Sequence, residues 1–460
     1  MFNVQISIFN ISLFPHHISY PFSISILLNF FIVKLSNFFI VKFLNHQILL
    51  PNPYHCPRIY YTMPKISTKG EAMPSSPIRK LVPYAEAAKK TGAKVYHLNI
   101  GQPDLETPPQ FWEKLRTMDM KVLAYCPSDG FESYKAQFAK YYNNIGIAVD
   151  TTNFLITNGG SEALSFVMLS CMNDGDEVII PEPMYANYIG FATAGNINVK
   201  PISCSIDNGF ALPSIADFEK SITEKTKAIL ICNPNNPTGY LYSKEELETL
   251  RTIALKYDLY LIVDEVYREF LYGGTTYFSA LNLEGMNEHV IVIDSISKRF
   301  SACGARIGAV VTRNKAVLQT VMKFAQARLS PPSLGQIAGE ALFDLGADYY
   351  AGIVKEYQLR RDTLVTLLNA IPGVKCPTPG GAFYAVAELP IDDADVFCQW
   401  MLEHFRHNNA TVMMAPATGF YKHTELGKKQ VRIAYVLNTD DLTAAVECLK
   451  FGIEAYNKGK

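Results

Sequence analysis

The first seventy residues contain neither aspartate nor glutamate; the first acidic side chain is Glu71. The same stretch is rich in Phe, Ile, Asn and Ser, and "NFFIVK" occurs in it twice, at 29–34 and 37–42. It lacks the run of about 20 apolar residues that a membrane-spanning helix requires. Lys34 and Lys42 interrupt it, and Pro15, His16 and His17 break its front. Arginine is scarce as well. Arg58 is the only one before Arg79, which argues against an arginine-rich mitochondrial presequence. The expectation is an extension over 1–62 that is non-native sequence ahead of Met63, or unstructured, with targeting or anchoring as the alternative. It is set aside in reading the fold.

Other absences narrow the function. Neither sign of charge dominates, with 42 Lys and Arg against 43 Asp and Glu, so neither nucleic acid nor an anionic membrane is expected as partner. The nine cysteines show no C-x-x-C pair and no zinc-type spacing, which points to reduced thiols, no bound metal and a cytoplasmic setting. No G-x-G-x-x-G follows the first strand and no G-x-x-x-x-G-K-[ST] occurs, which speaks against a nucleotide-dependent dehydrogenase or kinase. A sensor module of a transcription regulator would need a DNA-binding part, and the leader has no helix-turn-helix texture. No solenoid period is present.

What remains is regular. At 460 residues one large α/β unit plus a smaller one is the natural expectation. Apolar runs such as "KAILIC", "LYLIVD" and "HVIVID" alternate with helical stretches such as "SKEELETLRTIALKYD", in which Ser243 and Glu246 have capping-box spacing. Continuous Val/Ile/Leu strands between helices imply a mostly parallel sheet with helices on both faces. After Pro331, long helices and the short strands "GGAFYAVAEL" and "QVRIAYVL" suggest a smaller α+β domain. The expected division is 63–111 as the N-terminal part of the small domain, 112–340 as the large domain and 341–460 as the C-terminal small domain.

Ligands of such sheets bind at the carboxyl ends of the strands. Four polar clusters fall there: Gly159–Glu162, Asn233–Gly239, Asp264–Tyr267 and Ser295–Arg306. "TNGGSEAL" puts glycines and Ser161 at a helix N-terminus, where backbone N–H groups favour a phosphate; a plain strand–helix turn is the alternative. "NPNNPTG" uses Asn-Pro twice, a rigid extended turn that presents the Asn236 amide. Asp264 ends a buried strand, where a carboxylate needs a cationic partner or serves as a helix cap. Lys298 follows a buried strand among serines and glycines, with Arg306 further on. Burial and a neighbouring cation lower a lysine's proton affinity and make it a nucleophile. Lysine, phosphate cradle, isolated carboxylate and paired Asn and Tyr together describe pyridoxal 5′-phosphate held as a lysine Schiff base.

In the order "LNIGQPD", "TNGGSEAL", "PEPMYANY", "NPNNPTG", "DEVYREF", "SISKRFSACGARIG" and "VRIAY", the chain from about Pro77 to Lys450 resembles the class I/II aminotransferases of pyridoxal-phosphate fold type I, in particular the aspartate aminotransferase-like branch. The resemblance implies roles. Lys298 would bond the cofactor and shuttle the substrate α-proton, and Asp264 would keep the pyridine nitrogen protonated. Asn236 and Tyr267 would bond the cofactor O3′ oxygen, and Tyr185 would stack on its ring. Gly160, Ser161 and Glu162, by their backbone, would cradle the phosphate with Ser295 and Arg306. Tyr125 would reach the phosphate of a neighbouring subunit, which implies a homodimer with shared active sites. Arg432 would clamp the substrate α-carboxylate, assisted by Gly101 and Asn236. Arg328 stands near where some relatives carry a cation for the distal carboxylate; a solvated arginine at a helix end is the alternative. The implied reaction is a ping-pong amino transfer, with aspartate and 2-oxoglutarate as the favoured pair. An aromatic or alanine aminotransferase, or a C–S lyase, on the same fold is the alternative.

Overall fold

The computed structural model describes residues 64–459 and, by backbone alone, two antiparallel strands at Ile32–Leu35 and Phe38–Val41. The chain divides into two units, Met1–Lys65 and Ile66–Lys460, and all that follows concerns the second. The expected character of the rest of 1–62 lies outside the described residues.

Seven strands form the main sheet: β1 (Phe154–Asn158), β2 (Glu177–Glu182), β3 (Asn198–Ser203), β4 (Thr226–Cys232), β5 (Tyr260–Asp264), β6 (Val290–Ser295) and β7 (Ile307–Val311). Their spatial order is β1-β7-β6-β5-β4-β2-β3. All neighbouring pairs are parallel except those of β7, which runs antiparallel to both β1 and β6. That strand was hidden in the sequence behind the glycine-rich turn it follows.

The apolar runs explain the sandwich. Successive strand side chains point to opposite faces. Ile229, Ile231, Leu261, Val263, Val290 and Val292 enter one core. Leu230, Cys232, Ile262, Ile291 and Ile293 enter the other. Helix Lys244–Tyr257 covers the first core with Leu247, Leu250 and Ile253, and helix Gly159–Cys171 covers the second with Ala163, Leu164 and Val167. The capping box forms, with Glu246 N donating to Ser243 Oγ at 3.2 Å and Ser243 N donating to Glu246 Oε2 at 2.8 Å. Among the described residues no helix is long and apolar enough to cross a membrane.

A smaller antiparallel sheet holds Tyr384–Glu388, Gln430–Ala434 and Ala415–Pro416, with Gln430–Ala434 in the middle. Strand Lys94–His97 pairs in parallel with Ala410–Met413. Leu98 ties this pair to the smaller sheet: its N–H donates to Met413 O at 2.9 Å and its carbonyl accepts from Ala434 N at 2.8 Å. Strand Lys94–His97 stops short of Gly101, and Ile100, Gly101 and Gln102 line a cavity.

Candidate active site

The carboxyl ends of β1, β4, β5 and β6 open on one cavity of about 630 Å³. Asp264 closes β5 and is buried. Its Oδ2 accepts from Tyr188 Oη at 2.8 Å and its Oδ1 from Val266 N at 3.4 Å. These partners are a phenol and an amide, and neither carries charge. Burial pushes the carboxyl up to about 6, against the pull of the Tyr188 hydrogen bond.

Lys298 sits in the single turn of helix Ile296–Arg299 that follows β6. Its Nζ donates to Gly101 O at 2.9 Å and lies 3.8 Å from Cys303 Sγ. Burial lowers its proton affinity, and the charge of Arg432 adds to that. Gly101 must be glycine here, because a Cβ would collide with the Tyr384 ring and hydroxyl. Tyr384 Oη donates to the same Gly101 carbonyl at 3.3 Å and lies 3.0 Å from Tyr267 Oη. Asn236 Nδ2 reaches Tyr267 Oη at 3.4 Å, and Arg432 Nη1 reaches Asn236 Oδ1 at 3.4 Å. A hydrogen-bonded chain thus joins Arg432 to Lys298 through Asn236, Tyr267, Tyr384 and Gly101. Both Asn-Pro bonds of the turn that presents Asn236 are cis, where the reading expected an extended turn.

Arg432 lies on the middle strand of the smaller sheet and is 1% exposed. Its second terminal nitrogen donates to Asn99 O, and Nε has no partner. The rings of Tyr384 and Phe420 lie 4.8 and 5.0 Å from the guanidinium carbon. None of these contacts is a carboxylate. A buried cation without an anion is costly, so the geometry describes a seat for one.

Gly160 and Ser161 line the cavity at the N-terminus of helix Gly159–Cys171. Arg306 adopts left-handed backbone with φ of 55°, and its guanidinium donates to Cys303 O at 3.0 Å and Asn158 O at 3.4 Å. It passes so close to Gly159 that a Cβ there would stand 2.3 Å from Nη2. Ser295 Oγ caps the following turn, accepting from Ser297 N at 3.1 Å, and lies 2.7 Å from Ile307 O. Tyr185 lines the cavity, and its hydroxyl accepts from Asn187 Nδ2 at 2.8 Å.

Three expected residues lie outside the cavity lining. Arg328 is the first. Its Nε faces Glu162 Oε2 at 3.4 Å, and its Nη2 donates to the carbonyls of Ser128 and Ile156, both at 3.2 Å. Its guanidinium is taken up by Glu162 and two main-chain carbonyls, which the position in sequence did not reveal. Glu162 is turned the same way, its carboxylate taking Asn158 N at 2.8 Å as well. Tyr125 is 78% exposed. Conversely, the residues that reach the site without an expected role include Tyr188, Tyr384, Cys303 and Arg79. Tyr188 stands three places after Tyr185 in "PMYANY", a helical step that was its only signal.

Sheet and cavity together set cations without partnering carboxylates beside an amine of lowered basicity. The sequence profile of the family described as aminotransferase class I and II matches residues 93–449. The chain belongs to that family; it is a transaminase, and pyridoxal phosphate is typical of the family. It is 30% identical over 366 residues to the aspartate aminotransferase of Pyrococcus horikoshii, covering 78% of this chain and 91% of that one. It is 29% identical over 390 residues to aromatic-amino-acid aminotransferase 2 of Thermococcus litoralis, covering 83% and 96%. A mutant of Thermus thermophilus aspartate aminotransferase superposes with a TM-score of 0.77 at 27% identity, over 85% of this chain and all of that one.

Proposed function

We propose that the protein transfers the amino group of a dicarboxylic L-amino acid, aspartate first, to a 2-oxo acid such as 2-oxoglutarate, with pyridoxal phosphate as cofactor. One observation carries this reading: Asp264 and Arg432 are buried in one cavity, each without an ion pair among the described residues, and share it with a lysine of lowered proton affinity. When bound, pyridoxal phosphate supplies an electron sink for the substrate α-carbon and carries the amino group between half-reactions.

The residues fit that group. The Asp264 carboxylate pairs with a protonated ring nitrogen and recovers the cost of its burial. Asn236 and Tyr267 would bond the ring hydroxyl oxygen, and Tyr185 would pack against the ring. Arg306, Ser295 and the amides of Gly160 and Ser161 hold the phosphate, with Glu162 bracing the turn from behind. Arg432 grips the α-carboxylate and so orients the α-proton toward Lys298. Lys298 Nζ, whose neutral form is favoured by burial, takes that proton and returns it. The exposed Tyr125 supports a homodimer in which it serves the other subunit.

The test is an absorbance spectrum of protein loaded with pyridoxal phosphate, before and after L-aspartate without any oxo acid. A visible band that bleaches with stoichiometric release of oxaloacetate is the expected result. Release of ammonia or thiol instead would move the protein to the lyases. Absence of any chromophore in folded protein would overturn the reading.

A further inference from the structure

With Arg328 committed to Glu162, the distal carboxylate of a dicarboxylic substrate lacks the partner expected from sequence. We propose that Arg79 is that partner; the inference rests on the aminotransferase reading and names the residue that sets its substrate class.

Arg79 lines the cavity together with Tyr185, Asn187 and Arg432. Its segment is held from several sides. The amides of Arg79 and Lys80 both donate to Ser76 O, at 3.2 and 3.1 Å, which closes a turn. Pro77 packs on Gly419, where a Cβ would stand 2.5 Å from the proline ring. Lys80 pairs with Asp395. Asn99 Nδ2 donates to Ile78 O at 2.9 Å.

The last contact matters most. Asn99 also offers its backbone carbonyl to Arg432. One residue therefore sets Arg432 and the backbone beside Arg79 in a fixed relation. The neighbouring cations differ in state. Lys80 is spent on Asp395, whereas Arg79 has no ion pair within 4 Å among the described residues.

The charges of the cavity lead to the same residue. Its lining holds four cations, Arg79, Lys298, Arg306 and Arg432, against one acid, Asp264. Arg306 answers a phosphate, Arg432 an α-carboxylate, and Lys298 works as the base. Asp264 answers a ring cation. Arg79 alone is left over, at the exposed rim of the cavity whose floor holds Arg432. A planar guanidinium suits a carboxylate, which it binds through two N–H donors. A neutral or aromatic side chain would leave it unanswered.

The test compares wild type with Arg79→Gln and Arg79→Lys. Pre-steady-state bleaching of the cofactor band is followed with L-aspartate, L-glutamate, L-alanine and L-phenylalanine. In parallel, calorimetry measures binding of succinate and butyrate, unreactive acids of equal carbon count. For Arg79→Gln the aspartate-to-alanine ratio of kcat/KM is expected to fall roughly 30-fold, mainly through KM, and succinate to lose its advantage over butyrate by a similar factor. Arg79→Lys should recover part of both. An unchanged ratio, or equal losses on all four amino acids, would overturn the proposal, the latter by making Arg79 merely structural. If wild type bleaches with no amino acid, the aminotransferase reading fails; the succinate-to-butyrate comparison still decides the role of Arg79. If it bleaches with alanine or phenylalanine but not with dicarboxylic acids, that reading stands and Arg79 as the distal partner falls.

Discussion

Two groups of charge lie side by side near the strand ends and differ in one respect. The cavity holds four cations and one acid. Next to it, two arginines and three carboxylates pair with one another. Arg268 meets Asp294 at 2.9 Å and Glu265 at 3.3 Å. Arg299 pairs with Asp294 and faces Glu269 at 3.4 Å. Tyr142 donates to Asp294 at 2.7 Å. The two groups are built from adjacent residues: Asp264 and Glu265, Asp294 and Ser295, Lys298 and Arg299. Alternation about the strand ends separates Asp264 from Glu265 and Asp294 from Ser295, and the helical turn after β6 separates Lys298 from Arg299. Charge that finds its counterpart within the chain holds the strand ends in place. Charge that does not is a seat for something else.

This contrast is sharpest at Lys298. Lys298→Ala should cut turnover at least about 1,000-fold while the thermal midpoint, read by calorimetry, stays within a few degrees, because no carboxylate loses a partner. A large drop in midpoint would place Lys298 with the structural cluster.

Two substitutions set the regions against each other directly. Asp294→Asn strips both arginines of their shared anion, and breaking a buried pair in this way costs about 3–5 kcal/mol. Arg432→Leu removes a cation that has no anion, so unfolding in urea should show stability unchanged or raised, while kcat/KM falls at least roughly 100-fold. If Arg432→Leu proves as destabilising as Asp294→Asn, the distinction between the two regions is lost.

Asp264 lets pH probe the same idea. Its carboxyl is raised from 3.8 to about 6 by burial. A raised acid favours the folded state fully below its unfolded value and loses that contribution as pH rises through the folded one. Protein without cofactor should therefore lose about 3 kcal/mol from this group between pH 4 and 7. Asp264→Asn should lack that slope, and pyridoxal phosphate should counteract it in wild type by supplying the missing cation. The measurement is urea unfolding across that range, with and without cofactor.

How much of this was legible in the sequence follows from what kind of signal each residue leaves. Lys298, Arg306 and Asp264 were visible because a charge that follows an apolar strand is out of place in its own neighbourhood, and Arg432 through the family resemblance of "VRIAY". Tyr384 and Tyr188 were not, because a tyrosine among Phe, Ala and Ile in "GAFYAV" or "ANYIGF" is what a core strand or helix carries anyway. Arg79 was invisible for the opposite reason: beside Lys80 in a polar segment it reads as an ordinary solvated cation. Arg328 was assigned by position, whereas its commitment depends on Glu162, 166 residues away in sequence and 3.4 Å away in space. The antiparallel β7 escaped because "IGAVV" carries its glycine where a strand would weaken.

The smallest effect probes the border between the regions. Tyr188 is fully buried and gives Asp264 its one side-chain hydrogen bond, at 2.8 Å. It is a structural residue by its surroundings and part of the site by its contact. Tyr188→Phe keeps the ring and removes only the donor to the ionised carboxylate. Because that bond lowers the Asp264 value, its loss should raise it further, so the acid limb of cofactor binding should move to higher pH. At neutral pH the affinity for pyridoxal phosphate should fall about 3- to 10-fold, the worth of one hydrogen bond to a charged group in partial competition with water. Spectrophotometric titration with the cofactor from pH 5 to 8 reads both changes. A uniform loss at every pH would mean that the hydroxyl serves packing alone, and that the border lies at Asp264 itself.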